Sequence, residues 1–316
     1  MLLVFVPLAI FLALGEVMIR VYLSRNTFYD VEMSRYSRVL KLDADNPLIG
    51  HVHRPEGEAR LMNVSVRINS HGFRDDEVSL NRSARRRIVF LGDSLTFGWG
   101  VEKQESFEHL IERELDGRSP TEIINFGTGN YNTVQEVNLF LEKGLAYHPD
   151  QVVLFYFIND AEVAAQKSRV PWLSNVRIAT FFWSRGKALW ARISPSAGFE
   201  AYYSALYRDD SEGWRNAKNA LLQLRDVCIE NGIELQVVLL PELHQLDPYV
   251  FEEQHALIVG HLERHGVDVL DLAPSFRNVT VPFDLWVSFD DAHPNSRAHR
   301  LIAGYTVDFI DRVRTR

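Results

Sequence analysis

A serine in the first third of the chain has the surroundings that nucleophilic catalysis requires. Ser94 lies in the segment GDSLTFGWG, after the apolar run 87–91 and Gly92. Such a run is typical of a buried parallel strand, and glycine permits a tight turn after it. We therefore expect the Ser94 hydroxyl at the carboxyl edge of a sheet, where open α/β folds bind ligands. The alternative is that Ser94 only caps the next helix.

A histidine near the other end of the chain is a candidate base for this serine. His293 lies in SFDDAHPN, where Pro294 and Asn295 are start signals for a C-terminal helix. A serine hydroxyl is a weak nucleophile until a base takes its proton, and a carboxylate improves the base by fixing its tautomer. Asp290 stands three residues before His293. We expect it to fold back onto the imidazole within one turn.

Two further segments offer hydrogen-bond donors for the oxygen that becomes negative during acyl transfer. The glycine-rich stretch NFGTGNYNT begins at Asn125, and the tripeptide IND contains Asn159. Each follows a predicted strand, as Ser94 does, so all three segments are expected at the same edge of the sheet. Backbone N–H groups and an asparagine amide are suitable donors for an oxyanion.

These four segments, in this order, resemble the sequence blocks of the SGNH, or GDSL, family of serine hydrolases. The resemblance covers about residues 87–312 and implies an α/β fold, a three-layer sandwich around a central parallel sheet of the SGNH or flavodoxin-like kind. It implies that Ser94 is the nucleophile, that its N–H and the Asn159 amide serve the oxyanion hole, and that Asp290 and His293 are the orienter and the base.

Two positions depart from the family pattern. Asn130 stands where the second block usually has its donor glycine, directly after Gly129. Its backbone N–H still serves, because asparagine tolerates the left-handed conformation better than most residues. Phe157 stands where the third block usually has glycine, which is expected to narrow the pocket or to shift Asn159. The predicted oxyanion hole therefore consists of Ser94, Asn130 and Asn159.

The rest of this region alternates strands with helices, which predicts a parallel sheet covered on both faces. The predicted strands cover 87–91, 122–126, 152–158, 234–240 and 267–272, and the predicted helices cover 105–115, 133–145, 214–230, 249–265 and 296–313.

The N-terminus predicts a membrane anchor at residues 1–25. Residues 2–14 are all apolar, and the apolar run resumes at 17–19. Together they just suffice to span a bilayer. A cleaved signal peptide and a buried core helix are the alternatives.

The orientation of this anchor depends on two opposing indications. Four arginines follow the apolar run and favour a cytoplasmic hydrolase domain: Arg20, Arg25, Arg35 and Arg38. The resemblance to anchored proteins that act on exported glycans favours an extracytoplasmic one, which we expect.

The remaining chain divides into a lead-in at 26–85 and a hydrolase domain at 86–316. The lead-in is predicted to be β-rich and to pack beside the site, with Arg74 in a substrate-anion contact or in a structural salt bridge. The domain carries an aromatic-rich insertion at 161–213 with three interpretations. The first interpretation is an aromatic wall for an acyl chain or sugar rings, the second is a subsidiary core of helices, and the third is an interfacial helix at 177–193 that lies on the membrane.

Composition excludes some partners. A net charge of −8 argues against nucleic acid, and the single Cys228 excludes an internal disulfide. No cofactor or metal is expected, since His261 and His265 lie in HLERH rather than a zinc-protease motif.

The sequence thus predicts a membrane-anchored esterase or acyl-ester transferase acting on a small-molecule or glycan acyl ester. The alternatives are an O-acetyltransferase or deacetylase of an exported polysaccharide, and a non-catalytic glycan-binding assembly component.

Overall fold

The computed structural model describes residues 27–81, 85–163 and 198–312, together with Leu14, Gly15 and Met18. Most of the predicted anchor and most of the aromatic-rich insertion, including its predicted interfacial helix, lie outside the described residues. In the part of the chain that is described, no helix has both the length and the apolar character needed to cross a bilayer.

The lead-in begins with a helix and continues with two antiparallel hairpins. Helix α1 is Tyr29–Leu40. Strand β1 (Lys41–Asp43) pairs with β2 (His51–His53), and β3 (Glu58–Leu61) pairs with β4 (Val64–Arg67). The prediction of a β-rich lead-in missed the helix. Its signal is a stripe of apolar residues spaced four, three and four apart, which is one face of a helix: Tyr29, Met33, Tyr36 and Leu40.

The hydrolase domain alternates strands and helices as predicted, with small shifts at the element ends. In chain order the elements are β5 (Arg86–Gly92), α2 (Ser94–Phe97), α3 (Phe107–Arg118), β6 (Thr121–Asn125), α4 (Thr133–Lys143), β7 (Gln151–Tyr156), α5 (Phe199–Leu206), α6 (Glu212–Glu230), β8 (Glu234–Leu239), α7 (Glu252–Arg264), β9 (Asp268–Asp271), α8 (Ala273–Phe276), β10 (Trp286–Ser288), β11 (Asp291–Pro294) and α9 (Ser296–Ile310).

Five parallel strands form the central sheet in the order β6-β5-β7-β8-β9. The chain moves outward from β5 to β6 and then crosses back to β7, so right-handed crossovers put α3 and α4 on opposite faces. Helix α3 packs against α9 and helix α4 against α6. The prediction of an α/β fold around a central parallel sheet is confirmed. Strand order reverses between β5 and β7, which is where such sheets bind ligands.

Burial explains why most residues of β5 and β7 are apolar. Both are interior strands of a sheet with helices on both faces, and every residue of β7 is buried. The predicted strand 152–158 ends early, at Tyr156, because residues Ile158–Ala161 turn into a 3-10 helix. In that turn the Asp160 carboxylate accepts from the Phe157 N–H at 3.1 Å.

A second, smaller core joins the lead-in to the hydrolase domain. Its lead-in members are Tyr36, Leu40, Leu61, Met62, Val66 and Ile68. They pack against Phe97 and Trp99, which come from the segment GDSLTFGWG. The lead-in therefore covers the residues that directly follow Ser94.

Candidate active site

Ser94 is the first residue of α2, directly beyond the carboxyl end of β5. The Asp93 carboxylate caps the helix by accepting from the Leu95 N–H at 2.8 Å. A side chain at position 92 is excluded, because a Cβ there would lie 2.1 Å from Thr96 Oγ1. Ser94 as a whole is only 5 % exposed. As a first-turn residue, it has a backbone N–H without an intrahelical acceptor.

His293 reaches Ser94 from strand β11. Its Nε2 lies 2.8 Å from Ser94 Oγ, across a separation of 199 residues. The imidazole is 14 % exposed, so it keeps a narrow access to solvent. Tyr29 of α1 covers one side of the ring, with 5.4 Å between ring centroids and 31° between ring planes.

Asp291, rather than the predicted Asp290, lies against the imidazole. Asp291 Oδ1 is 2.5 Å from His293 Nδ1, and its other oxygen accepts from Trp99 Nε1 at 2.8 Å. Asp290 instead accepts from the Ser288 hydroxyl at 2.9 Å and from the Tyr29 N–H at 3.3 Å. The prediction assumed a turn, but the segment is a strand. Side chains two apart share a strand face, and those three apart do not.

The charges around His293 favour its protonated form. Burial alone would lower the pKa of His293, but the carboxylate and hydrogen bond of Asp291, with a contribution from Asp93, raise it above the usual histidine value. In turn, burial opposes ionisation of Asp291, but His293 and the Trp99 hydrogen bond hold the Asp291 pKa below its usual value. The geometry fits the tautomer in which Nδ1 donates to Asp291 and Nε2 accepts from Ser94.

Asn159 lies in the 3-10 turn after β7, the strand next to β5. Its Nδ2 is 3.3 Å from Asp93 Oδ2, beside the nucleophile turn. Its buried Oδ1 has no hydrogen-bond partner within the described part of the chain. Burial raises the pKa of Asp93 above the usual aspartate value. Asp93 Oδ2 lies 3.4 Å from Ser94 Oγ, so the amide lies beside the nucleophile turn. Within the described ranges, the contact of 3.3 Å to Asp93 is the hydrogen bond found for Asn159 Nδ2.

Asn130 belongs to the loop after β6 and is the residue that replaces the family's usual glycine. Its φ is +67°, in the left-handed region that asparagine tolerates. The loop is tied to the nucleophile turn, because the Thr128 N–H donates to Gly92 O at 3.0 Å and Asn125 Nδ2 donates to Thr96 O at 2.9 Å. No acceptor for the Asn130 N–H is found among residues 27–81, 85–163 and 198–312.

Within the described ranges Arg74 forms no salt bridge and instead contacts backbone carbonyls. The side chain is buried, and its guanidinium donates to the carbonyls of Phe97, Gly98 and Val101, with a longer contact to Ser65 O. Three of these carbonyls belong to the last residue of α2 and to the turn that follows it. Arg74 therefore braces the backbone behind Ser94.

Two cavities adjoin the site. One of about 220 Å³ lies beside His293 and is lined mainly by apolar and aromatic side chains, among them Tyr29, Leu95, Phe157, Phe199 and Tyr203. Phe157 forms part of this wall. Whether it narrows the pocket stays a prediction. The other cavity, of about 930 Å³, has both polar and apolar lining residues, and its polar ones include Lys41, Asp43, His51, Asn130, Asn132 and Asn159.

The described part of the aromatic-rich insertion contributes to the smaller cavity. Phe199 and Tyr203 come from α5, and Phe199 packs on His244 with 4.8 Å between ring centroids. These two residues line the cavity, while the choice among the three interpretations of the insertion stays a prediction. Within the described ranges, no group of histidine, cysteine and acidic side chains is arranged to hold a metal ion.

Three residues of the site were missed by sequence reasoning. Asp291 is adjacent to the predicted Asp290, but the family pattern places the aspartate three residues before the histidine and therefore favours Asp290. Trp99 stands inside GDSLTFGWG, yet nothing in the motif says that its indole donates to a carboxylate 192 residues away. Tyr29 lies in the lead-in, and only its place in the apolar stripe of α1 predicts that it faces the protein interior.

Comparison with known proteins places this geometry in a family. The model of the GDSL-like lipase/acylhydrolase family matches residues 90–301. Among solved structures, the chain is similar to a member of the lipolytic protein G-D-S-L family from Veillonella parvula, with 14% identity and a TM-score of 0.44 over 72% of this chain and 99% of that one. It is similar to a lipase/acylhydrolase from Enterococcus faecalis, with 16% identity and a TM-score of 0.45 over 71% and 95% of the two chains.

An alpha/beta hydrolase from the metagenome of Lake Arreo is also similar, with 16% identity and a TM-score of 0.48 over 73% of this chain and 97% of that one. The comparison with curated proteins gives no match.

Proposed function

Because the chain belongs to the GDSL-like lipase/acylhydrolase family and is an ester-hydrolysing enzyme, we propose that it cleaves its ester through a triad of Ser94, His293 and Asp291. The observation that carries this proposal is the unbroken chain of contacts from Ser94 Oγ to His293 Nε2 at 2.8 Å and from His293 Nδ1 to Asp291 Oδ1 at 2.5 Å. This is the arrangement of nucleophile, base and orienter that serine catalysis needs.

In the first half-reaction, His293 takes the proton of Ser94 as Oγ attacks the ester carbonyl. Asp291 keeps the imidazole in the required tautomer and stabilises the imidazolium that forms. His293 then gives that proton to the departing alkoxide, and the acyl group stays on Ser94. In the second half-reaction, water attacks the acyl carbonyl with His293 again as the base. The bond from the acyl carbon to Ser94 Oγ then breaks, and His293 returns the proton to Ser94 as the acid leaves. An alcohol in place of water would give transfer instead of hydrolysis.

The negative oxygen of the tetrahedral intermediate is held, in this proposal, by the N–H groups of Ser94 and Asn130 and by the Asn159 amide. Their support is the position of all three at the carboxyl edge of neighbouring strands. In addition, no backbone acceptor for these groups is found among the residues that the structure describes. Preorganised donors of this kind contribute about 3 kcal/mol each to lowering the barrier.

Replacing Ser94 with alanine tests the nucleophile. We expect Ser94→Ala to reduce hydrolysis of p-nitrophenyl acetate by a factor of about 10⁴ or more, while the circular dichroism spectrum stays unchanged. Ser65→Ala is the matched control, because Ser65 is exposed on β4. Its activity should equal that of the wild type. Full turnover by Ser94→Ala would refute the triad.

The two cavities favour a short-chain acyl ester of a carbohydrate as the substrate. The small cavity beside His293 has room for a short apolar group, and the large one presents amide, amine and carboxylate side chains suited to hydroxyl groups. A long-chain lipid ester would instead require a large cavity lined by apolar side chains beside His293. This proposal includes the acetylated polysaccharides expected from the sequence, with deacetylation or acetyl transfer as the reaction.

A substrate panel separates these possibilities. The enzyme should release acetate from acetylated oligosaccharides with a kcat/KM at least about tenfold above that for p-nitrophenyl palmitate. Adding a non-acetylated oligosaccharide as acceptor and analysing the products by mass spectrometry distinguishes transfer from hydrolysis. A preference for the palmitate ester would contradict the carbohydrate assignment.

The anchor also stays a proposal. Its support is the apolar run at 2–14 and 17–19, and we propose that it holds the hydrolase domain outside the cytoplasm. Helix α1, which contacts His293 through Tyr29, begins four residues after the proposed anchor ends at residue 25. The site would then lie near the membrane surface.

A further inference from the structure

The lead-in holds the carbonyl group of Gly129 from two sides. Lys41 Nζ, at the start of β1, lies 2.7 Å from Gly129 O and 2.8 Å from Asn130 Oδ1. His51 Nε2, on the partner strand β2, lies 3.1 Å from the same carbonyl oxygen. Burial lowers the pKa of Lys41 to about 7, and the amine keeps N–H donors in both of its protonation states.

These contacts determine where the Asn130 N–H points. Gly129 O and the Asn130 N–H belong to one peptide group, which is planar and trans, so the two bonds point in opposite directions. A donor that fixes the carbonyl on the lead-in side therefore directs the N–H to the other side, away from Lys41. Hydrogen bonding at the carbonyl also polarises the amide and strengthens its N–H as a donor.

The preceding peptide group is held as well. The Gly129 N–H donates to the Tyr36 hydroxyl at 3.0 Å, and the same hydroxyl lies 2.6 Å from His53 Nε2. Tyr36 approaches so closely that a Cβ on residue 129 would lie 2.7 Å from its ring. Both peptide groups that flank Gly129 are thus fixed by side chains of residues 36–51, which lie outside the stretch that the family model matches.

We propose that Lys41 and Tyr36 are positioning residues for the oxyanion hole, which hold the Gly129–Asn130 loop so that the Asn130 N–H faces the reacting oxygen. This inference rests on the proposed function, because it assigns the N–H of Asn130 to the oxyanion. It makes the lead-in a working part of the active site and accounts for an asparagine in a position where the family usually has glycine.

The test compares Lys41→Met with Arg38→Met, which removes an exposed cation from the end of α1 in the same lead-in. The measurements are kcat and KM for an acetyl ester, the melting temperature, and the affinity for a boronic acid, whose tetrahedral adduct on serine carries a negative oxygen. We expect Lys41→Met to lower kcat by about 10- to 100-fold with KM changed by less than about threefold. Arg38→Met should stay within about twofold of the wild type in each kinetic constant.

The boronic acid separates positioning from a general structural role. If Lys41 acts through the oxyanion hole, the affinity of the Lys41→Met variant for the boronic acid should fall by the same factor as its kcat/KM. Both quantities report how well the enzyme binds the negative oxygen. Tyr36→Phe, which removes only one oxygen atom, should lower both in parallel and serves as the second variant if Lys41→Met does not fold.

Two results would overturn the inference while the triad stands: unchanged kcat in both variants, or lost activity with unchanged boronic acid affinity. A failure of the proposed function would show differently, as full activity in Ser94→Ala.

Discussion

At the scale of single residues, the site turns on which of two adjacent aspartates faces the histidine. Asp291 and His293 are two apart on β11 and share a face, so their side chains meet. The Asp291 side chain is 1 % exposed and also accepts from the Trp99 indole, which holds its carboxylate in place. Asp290 bonds to Ser288 and Tyr29 and braces the loop before the strand.

The two aspartates give a matched pair of variants. Asp291→Asn should lower kcat by about 10³- to 10⁴-fold, because an amide cannot stabilise the imidazolium and favours the wrong tautomer. Asp290→Asn should lower it by less than about threefold, since that carboxylate does not touch the imidazole. Steady-state kinetics on p-nitrophenyl acetate measure kcat for both variants. A larger loss of kcat in Asp290→Asn than in Asp291→Asn would show that Asp290 is the residue that orients His293.

The raised pKa of His293 predicts the shape of the acid limb in the pH profile. The base must be neutral to accept a proton, so kcat/KM should rise with pH through a midpoint above 6.5, the usual histidine value. In Asp291→Asn the carboxylate that raises the pKa is gone and burial remains, so the residual activity should show its midpoint at a lower pH than the wild type. A midpoint that does not move would mean that Asp291 does not control His293.

At the scale of elements, the sequence was most informative where the pattern was strongest. The strands of the central sheet were predicted to within two residues at each end, because buried parallel strands are nearly continuous apolar runs. Helix α1 was missed because its polar residues hide the stripe. The segment around His293 was taken for a turn, because a strand of four residues is too short to show alternation.

The site shows the same division. Ser94 and His293 come together as expected, and Asn159 lies against Asp93 in the nucleophile turn. Ser94 and Asn159 follow neighbouring strands of the central sheet, whereas His293 lies on the separate β10–β11 hairpin. The roles of the lead-in residues cannot be predicted from the sequence, because they depend on contacts between segments that are far apart in the chain. Lys41 meets Gly129 across 88 residues, and no local pattern announces that contact.

Arg74 provides a test of the element that supports Ser94. Arg74→Met leaves buried carbonyls of the turn after α2 without donors, which should cost about 3 kcal/mol or more of the free energy of unfolding. Arg67→Met, on a side chain that is 79% exposed, should change it by less than about 1 kcal/mol. Urea denaturation followed by fluorescence measures both, and equal stability of the two variants would contradict the bracing role.

At the scale of the whole molecule, the site is assembled at the point where strand order reverses. Ser94 follows β5, Asn159 follows its neighbour β7, and His293 returns on a hairpin after the last strand of the sheet. The lead-in then closes the assembly, with Tyr29 on the imidazole and Lys41 on the oxyanion loop. Segments that are up to 261 residues apart thus meet in one place.

The central claim is that this convergence makes Ser94 a nucleophile, and covalent labelling tests it most directly. Incubating the protein with a fluorophosphonate and locating the adduct by peptide mass spectrometry should show one modified residue, Ser94. His293→Ala should slow the labelling by about 100-fold or more, because the hydroxyl then lacks its base. The account would be contradicted if the wild-type protein formed no adduct on Ser94, or if labelling continued at the same rate without His293.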